Sequence, residues 1–253
     1  MQAVILGAGL GMRLRSRVDD RPKGLIEIDG ESLVARSVRL LRDVGITRTT
    51  IVTGYRAECY ERFASNQPNI TLLRNDNFAA SGSMASLAIA IERIHDDLLI
   101  LESDIVYEAR ALSSLLDSTA SDATLISGPT GAGDEVWVHA PAGRLHAMSK
   151  NAHELTSTSG EFVGITRLSS AAASAMLSAF KAFVDLHGHE RMAYETDALI
   201  VVARRCPIAA VLVPSLCWGE VDDELQLARV VEHVWPRVGD HLPPRCASVP
   251  KLQ

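Results

Sequence analysis

Four short apolar or β-branched runs, each ending at a glycine or a charged residue, most constrain what this chain can fold into. They are Ala3–Leu6, Thr49–Thr53, Ile70–Leu73 and Leu98–Leu101. Runs of this length without polar alternation are buried on both faces, the mark of parallel strands covered by helices on either side. Helical patterns fill the intervals. Ser32–Arg42 places Leu33, Val34, Val38 and Leu41 at helical spacing and meets Gly45 as a stop; Arg56–Ala64 and Met84–Ile94 follow, with Ser81 and Ser83 as expected caps of the latter. The rhythm predicts an α/β domain with a mostly parallel sheet and helices on both faces.

The pattern changes between Ala123 and Ile165, where Thr124–Ser127, Glu135–His139, Leu145–Met148 and Glu161–Ile165 read as strands separated by turn residues. Helices return at Ala171–Leu186 and Tyr194–Ala203, followed by a strand at Ala209–Val213 and a helix near Asp223–Val234. After Trp235, the prolines Pro243, Pro244 and Pro250 suggest an irregular tail. The expectation is one domain over residues 1–238, with a small embedded β-rich subregion, and a tail over 239–253. A length of 253 residues suits one elaborated α/β domain.

Composition narrows the function. A net charge of −6 argues against a dedicated nucleic-acid or anionic-membrane binder, and 5% aromatics argues against a platform for stacking bases. Cys59, Cys206, Cys217 and Cys246 form no C-x-x-C pair and have no histidine at zinc-finger spacing, so reduced thiols are expected. Met1–Leu6 has no basic n-region, and no apolar run reaches about 18 residues, so neither a signal peptide nor a membrane span is expected. A cytoplasmic protein is the expectation, and a homodimer is left open.

Two stretches carry chemistry. The first strand breaks at Gly7-Ala8-Gly9-Leu10-Gly11-Met12-Arg13, followed by Arg15, Arg17, Arg21 and Pro22-Lys23. Glycines directly after a buried strand let backbone N–H groups approach an anion, and five cations close behind can neutralise a polyphosphate. The spacing is neither the dinucleotide fingerprint nor a P-loop. The second stretch is Glu102-Ser103-Asp104, where Asp104 follows a buried strand into the crevice in which α/β proteins bind ligands. A carboxylate there suits Mg²⁺, which binds one or two carboxylates together with substrate phosphates. Trp218-Gly219-Glu220-Val221-Asp222-Asp223 offers a partner in Asp222, although Asp222 or Asp223 serves equally as the N-cap of the last helix. His187 and His189 end a helix, and nothing groups them with His233 or His241; Trp137, Trp218 and Trp235 read as packing residues.

Gly7–Arg13 followed by Pro22-Lys23 resembles the signature of the nucleoside-triphosphate transferases that activate phosphorylated small molecules. Gly54-Tyr55, and the segment from Asn75 through Ser81-Gly82-Ser83 to Ser86-Leu87, resemble the phosphocholine and phosphonate cytidylyltransferase branch. Glu102-Ser103-Asp104 and Glu220-Val221-Asp222 are similar to its two metal-ligand motifs. The resemblance covers about residues 2–225. It implies a Rossmann-like three-layer nucleotidyltransferase fold whose β-rich subregion binds the acceptor. The implied reaction is attack of a phosphate or phosphonate oxygen on the α-phosphorus of CTP, with release of pyrophosphate.

It also implies roles for residues. Lys23 and Arg13 would be catalytic; Leu6, Gly7, Ala8, Gly9, Gly11, Met12, Asn75, Ser81, Gly82, Ser83 and Ser86 would line the nucleotide; Asp104 and Asp222 would hold Mg²⁺. Lys150, Tyr194, Glu195 and Asp197 are the candidates for the acceptor. The chain departs from the choline branch in having Gly82-Ser83 where relatives tend to carry Asn-Asn, and in having few aromatics to cage a quaternary amine. A sugar-1-phosphate nucleotidyltransferase using UTP, GTP or dTTP, and a non-catalytic nucleotide-binding domain of this fold, are the alternatives.

Overall fold

The computed structural model describes residues 1–14 and 21–238; Arg15, Arg17 and the tail 239–253, including His241, Pro243, Pro244, Cys246 and Pro250, lie outside the described residues. In chain order the elements are β1 (Gln2–Gly7), a hairpin of β2 (Glu27–Ile28) and β3 (Glu31–Ser32), α1 (Leu33–Asp43), β4 (Thr49–Thr53), α2 (Ala57–Ala64), β5 (Ile70–Arg74) and α3 (Ser83–Ile91). There follow β6 (Leu98–Glu102), β7 (Ile105–Tyr107), α4 (Arg110–Leu116), β8 (Ala123–Ser127), β9 (Trp137–His139), β10 (Ala147–Ser149) and β11 (Gly160–Leu168). The chain continues through α5 (Ser170–His187), α6 (Glu195–Ala203), β12 (Ala209–Val213), β13 (Trp218–Glu220) and α7 (Glu224–Arg229); a π-helical turn, Val230–Val234, leads into α8 (Trp235–Val238).

A nine-stranded sheet forms the centre, with β5-β4-β1-β6 parallel and β11 added antiparallel beside β6. The four expected apolar runs are these four parallel strands. Alternate residues feed opposite layers. Ala3, Ile5, Leu99 and Leu101 pack with α1, α2 and α4; Val4, Leu6, Leu98 and Ile100 pack with α3, α5 and α6. That two-sided burial is why β1, β4 and β6 read as continuous apolar or β-branched runs rather than as alternating ones, whereas β5, at the sheet edge, is only partly buried. The β-rich stretch supplies β8 and β11, which join the central sheet, and the β9–β10 hairpin at its end.

Two local expectations change. Neither Ser81 nor Ser83 caps α3: Gly82 occupies the N-cap, and Ser83 is the first helical residue, its hydroxyl directed at Glu195. The C-terminal helix continues to Val238, past the expected end at Val234 and irregular start after Trp235, because Val230, Val234 and Val238 repeat every fourth residue on one buried face. Ser32, expected as the first residue of a helical stretch, is the N-cap of α1, accepting from the Ala35 N–H at 3.2 Å. No helix among the described residues is long and apolar enough to cross a membrane. Cys59, Cys206 and Cys217 carry free thiols.

Candidate active site

Strand order creates the site. β4 and β5 extend the sheet to one side of β1 while β6 lies on the other, so the connections diverge from the C-terminal ends of β1 and β6 and open a crevice between them. The glycine loop after β1 and Asp104 after β6 face that crevice. A second pairing brings in residues from more than a hundred positions away. β13 runs antiparallel to β7, with Glu220 opposite Ile105, and the Val221 N–H donates to the Asp104 carbonyl at 2.9 Å. Asp222 therefore lies beside Asp104. The capping role falls to Asp223, which accepts from the Gln226 N–H at 2.9 Å, and the Asp222 side chain is left to face the crevice.

The crevice is a cavity of about 560 Å³. At its head the Lys23 ammonium lies between two carboxylates, donating to Asp104 Oδ2 at 3.2 Å and to Asp222. The Arg13 guanidinium reaches the other oxygen of Asp222 at 2.5 Å. The two motifs expected to hold triphosphate and metal are thus brought together by direct ion pairs. Arg21, of the same basic stretch, instead pairs with Glu27 at 3.0 Å at the surface.

Two groups of acids have oxygens within 4.8 Å of one another: Glu102, Asp104 and Glu220, and Asp134, Glu220 and Asp222. Asp104 and Asp222 fall in different groups joined through Glu220. An all-oxygen, all-carboxylate donor set fits a hard divalent cation such as Mg²⁺. The crowding is visible in the protonation of these groups. Burial first, then the Asp104 charge, pushes the Glu220 carboxyl up to about 8. Burial also raises Glu102 well above the usual carboxylate range, with Glu195, Glu220 and Asp104 adding like charge.

The opposite wall comes from the N-terminus of α6 and the end of β10. Glu195, 7% exposed, receives the Ser83 hydroxyl while its own N–H donates to Ser83 Oγ at 3.0 Å. Burial raises Glu195 as well. Asp197 Oδ2 accepts from the Tyr194 N–H at 3.2 Å, so it caps the helix from within the first turn. The Lys150 ammonium sits over the Tyr194 ring, 5.3 Å from its centroid. Gly82 allows this wall to close on α3, because a Cβ there would lie 1.9 Å from the Met192 carbonyl oxygen. An asparagine at this position, as the choline branch tends to carry, would meet that carbonyl.

Of the expected site residues, Leu6, Gly7, Ala8, Gly9, Gly11, Arg13, Lys23, Ser81, Gly82, Ser83, Ser86, Asp104, Lys150, Tyr194, Glu195, Asp197 and Asp222 all line the cavity. Asn75 stands behind the wall, 2% exposed, donating to Ser81 and Ser86 Oγ at 3.0 Å each and accepting from the Asn77 N–H. It orders the serines rather than facing the cavity. Of Met12 only the backbone is described.

Sequence reasoning did not single out Asp134 or Glu161. Asp134 lies in the glycine-rich loop between β8 and β9. Glu161, 3% exposed on β11, accepts from the Thr130 N–H at 2.7 Å and from its hydroxyl at 3.0 Å. Burial pushes its carboxyl up to about 7. The signal available for Asp134 was the loop itself, Gly128-Pro129-Thr130-Gly131-Ala132-Gly133-Asp134, opening from a buried strand.

Residues 3–163 match the MobA-like NTP transferase domain. A CMP-5'-(3-aminopropyl)phosphonate synthase of Streptomyces rubellomurinus is 29% identical over 132 residues, 51% of this chain and 21% of the relative. A UTP–glucose-1-phosphate uridylyltransferase of Haloferax volcanii is 28% identical over 110 residues, 43% of this chain and 45% of the relative. The matched stretches thus span less than half the length of these two curated relatives. In structure, the chain is similar to a CTP:phosphocholine cytidylyltransferase from Streptococcus pneumoniae with a TM-score of 0.74 at 18% identity, over 91% of this chain and 97% of that one. The three-layer nucleotidyltransferase fold is therefore common to both.

Proposed function

The chain belongs to the MobA-like NTP transferase domain family, and we propose that it is a Mg²⁺-dependent cytidylyltransferase that transfers CMP from CTP to a small phosphonate or phosphate monoester. The observation that carries this reading is the Lys23 ammonium set between Asp104 and Asp222 at the open end of the glycine loop. Cations, glycine-loop amides and an oxygen-only acid cluster within one cavity are what transfer at phosphorus requires, since it depends on positioning and charge neutralisation more than on a nucleophilic side chain.

In this reading an oxygen of the acceptor attacks the α-phosphorus of CTP. A new P–O bond forms as the bond from the α-phosphorus to the bridging oxygen breaks, and pyrophosphate leaves with that electron pair. Arg13 and Lys23 turn from their carboxylate partners toward the phosphates and stabilise the charge that develops there. Asp104 and Asp222, with Glu220 between them, would hold Mg²⁺. When bound, the ion neutralises phosphate charge and aligns the reacting oxygens. Backbone groups from Gly7 to Gly11 and around Ser81–Ser83 hold the nucleotide. Lys150 takes the anionic end of the acceptor, and Glu195, backed by Glu102, takes an amine at its other end, with Tyr194 and Asp197 shaping that wall.

The test is pyrophosphate release with Mg²⁺, crossing CTP, UTP, GTP, ATP and dTTP against five acceptors. These are phosphocholine, 2-aminoethylphosphonate, 2-hydroxyethylphosphonate, phosphonoformate and glucose-1-phosphate. Turnover restricted to CTP with a phosphonate or phosphocholine, lost by at least 100-fold in Asp104→Asn, is expected. Turnover with glucose-1-phosphate and another nucleotide would keep the chemistry and replace the substrates. Silence with every pair would overturn the assignment as an enzyme of this class.

A further inference from the structure

Loop 128–136, between β8 and β9, lines the cavity through Thr130, Ala132, Asp134, Glu135 and Val136 and is tied down at both ends. At one end Glu161 holds the Thr130 N–H and hydroxyl, at 2.7 and 3.0 Å, and Arg229 of α7 donates to the Thr130 carbonyl at 2.9 Å. At the other end the Gln226 amide of α7 donates to Asp134. The same Gln226 side chain accepts from the Asp222 N–H at 2.7 Å. Gln226 is 6% exposed and its bond from the Asp222 N–H is buried, while its bond to Asp134 is half-buried at the cavity wall. One buried amide therefore joins the backbone of Asp222 to the carboxylate of Asp134, and both acids approach Glu220.

We infer that Gln226 is a positioning residue for the reaction, fixing Asp222 and the loop that carries Asp134 in one arrangement. The inference rests on the nucleotidyl-transfer reading of this cavity. The amide is suited to the task for a chemical reason. A side chain that must accept from one group and donate to another cannot be a carboxylate or an ammonium, and an asparagine is one methylene shorter. The capping bond from the Gln226 N–H to Asp223 keeps its main chain in register with Asp222 three and four residues back. With Thr130 secured independently by Glu161 and Arg229, release of the Asp134 end leaves residues 131–135 held, among the described residues, only by local bonds, from the Ala132 N–H to Thr130 Oγ1 at 3.3 Å and from the Gly133 N–H to Glu135 Oε1 at 3.2 Å. Gly131 and Gly133 both have positive φ, at 69° and 96°, so this stretch offers little side-chain restraint of its own.

The experiment compares wild type, Gln226→Met, Asp134→Ala and the double variant in the full chain, using steady-state kinetics and amide hydrogen exchange without nucleotide; alanine, unlike asparagine, leaves no acceptor for the Gln226 amide. Methionine conserves volume while removing both hydrogen bonds. The expected result is a loss of kcat of about 10–100-fold in Gln226→Met, the range typical of residues that orient site groups, with KM for either substrate changed by less than about threefold. Exchange of residues 131–135 should rise by about tenfold while β1 and β6 stay protected. The double variant should be little worse than the poorer single variant, because both changes remove one shared contact. Unchanged kcat, unchanged loop exchange or additive losses would each overturn the inference. If Gln226→Met does not fold, Asp134→Ala decides by the same kinetic and exchange criteria. If wild type turns over no pair of substrates, the proposed function fails, and the exchange data alone then decide whether Gln226 holds the loop.

Discussion

Replacing Glu161 with glutamine should make the protein more stable at alkaline pH, and the size of the gain follows from the site. Glu161 is 3% exposed and its carboxyl is held at about 7 against an ordinary 4.5, with burial as the main cause; the Thr130 N–H and hydroxyl and Arg229 favour the charged form, and Glu135 opposes it. The folded state therefore keeps a proton that the unfolded chain releases. Stability contributed by this group is present in full below about 4.5, falls as pH rises from there to about 7, and stays lost above. At about 1.4 kcal/mol per pH unit the gap corresponds to about 3 kcal/mol. Glutamine removes the titration yet can accept from the Thr130 N–H and donate to its hydroxyl. Urea unfolding of wild type and Glu161→Gln at intervals from pH 5 to 8.5 measures the effect. The variant's advantage should grow across pH 5–7 and then level off. An advantage that does not change with pH would refute the reasoning, because a packing or hydrogen-bond effect carries no such slope.

Two further perturbations follow from the same geometry. Lys23→Met should lower kcat by about 10²–10³-fold, as expected for removal of a group that meets transition-state charge; it should also cost about 1–3 kcal/mol in chemical denaturation, since Asp104 and Asp222 lose a partner while only 16% and 12% exposed. Gly164→Ala should destabilise by about 1–3 kcal/mol, because φ is +81° there and the new Cβ would lie 2.6 Å from Glu102 Oε2; a variant as stable as wild type would mean that β11 has room to relax.

In the parallel half of the sheet, β1, β4 and β6 were legible because each is buried on both sides, which writes an unbroken apolar or β-branched run into the sequence; β5, at the sheet edge, is only partly buried but keeps a short apolar run. The apolar spacing after Ser32 revealed α1, although Ser32 itself, read as the first residue of that stretch, is its N-cap. The short elements left no such signal. β7 and β13 are three residues each and gain their identity only from pairing with one another across the chain. α4, Arg110–Leu116, is two turns long and follows them too closely for a period to emerge. The same distinction governs the site. Asp104 and Asp222 sit in recognisable local motifs just beyond strand ends, and Lys23 in the Pro22-Lys23 pair that opens a short turn. Asp134 and Glu161 do not, since one belongs to an irregular loop and the other to a strand whose glutamate is turned inward. Their significance comes from Gln226 and Thr130, each distant in the chain. Ser83 shows a different limit: a serine at a helix start satisfies the capping rule on paper, yet a buried glutamate is the stronger partner for its hydroxyl.

The charge of the whole chain conceals the electrostatic character of its cavity. Among the described residues, nine carboxylates line it against four cations: Arg13, Lys23, Lys150 and Arg229. A triphosphate cannot enter such a lining on the strength of the protein's cations alone, two of which are already paired with Asp222. The raised carboxyls of Glu102, Glu195 and Glu220 come from burial first and from the neighbouring acids second, both of which favour holding a proton. Substrates that bring positive charge relieve the crowding of acids more completely: a divalent ion travelling with the nucleotide at Asp104, Glu220 and Asp222, and an amine on the acceptor at Glu195 and Glu102. On the proposed function, the excess of acid would therefore favour an amine-bearing acceptor over a sugar phosphate. In the substrate panel this separates 2-aminoethylphosphonate from 2-hydroxyethylphosphonate, two acceptors of nearly equal size. Preference for the amine should weaken selectively in Glu195→Gln, and equal use of the two by wild type would refute an electrostatic role for that wall.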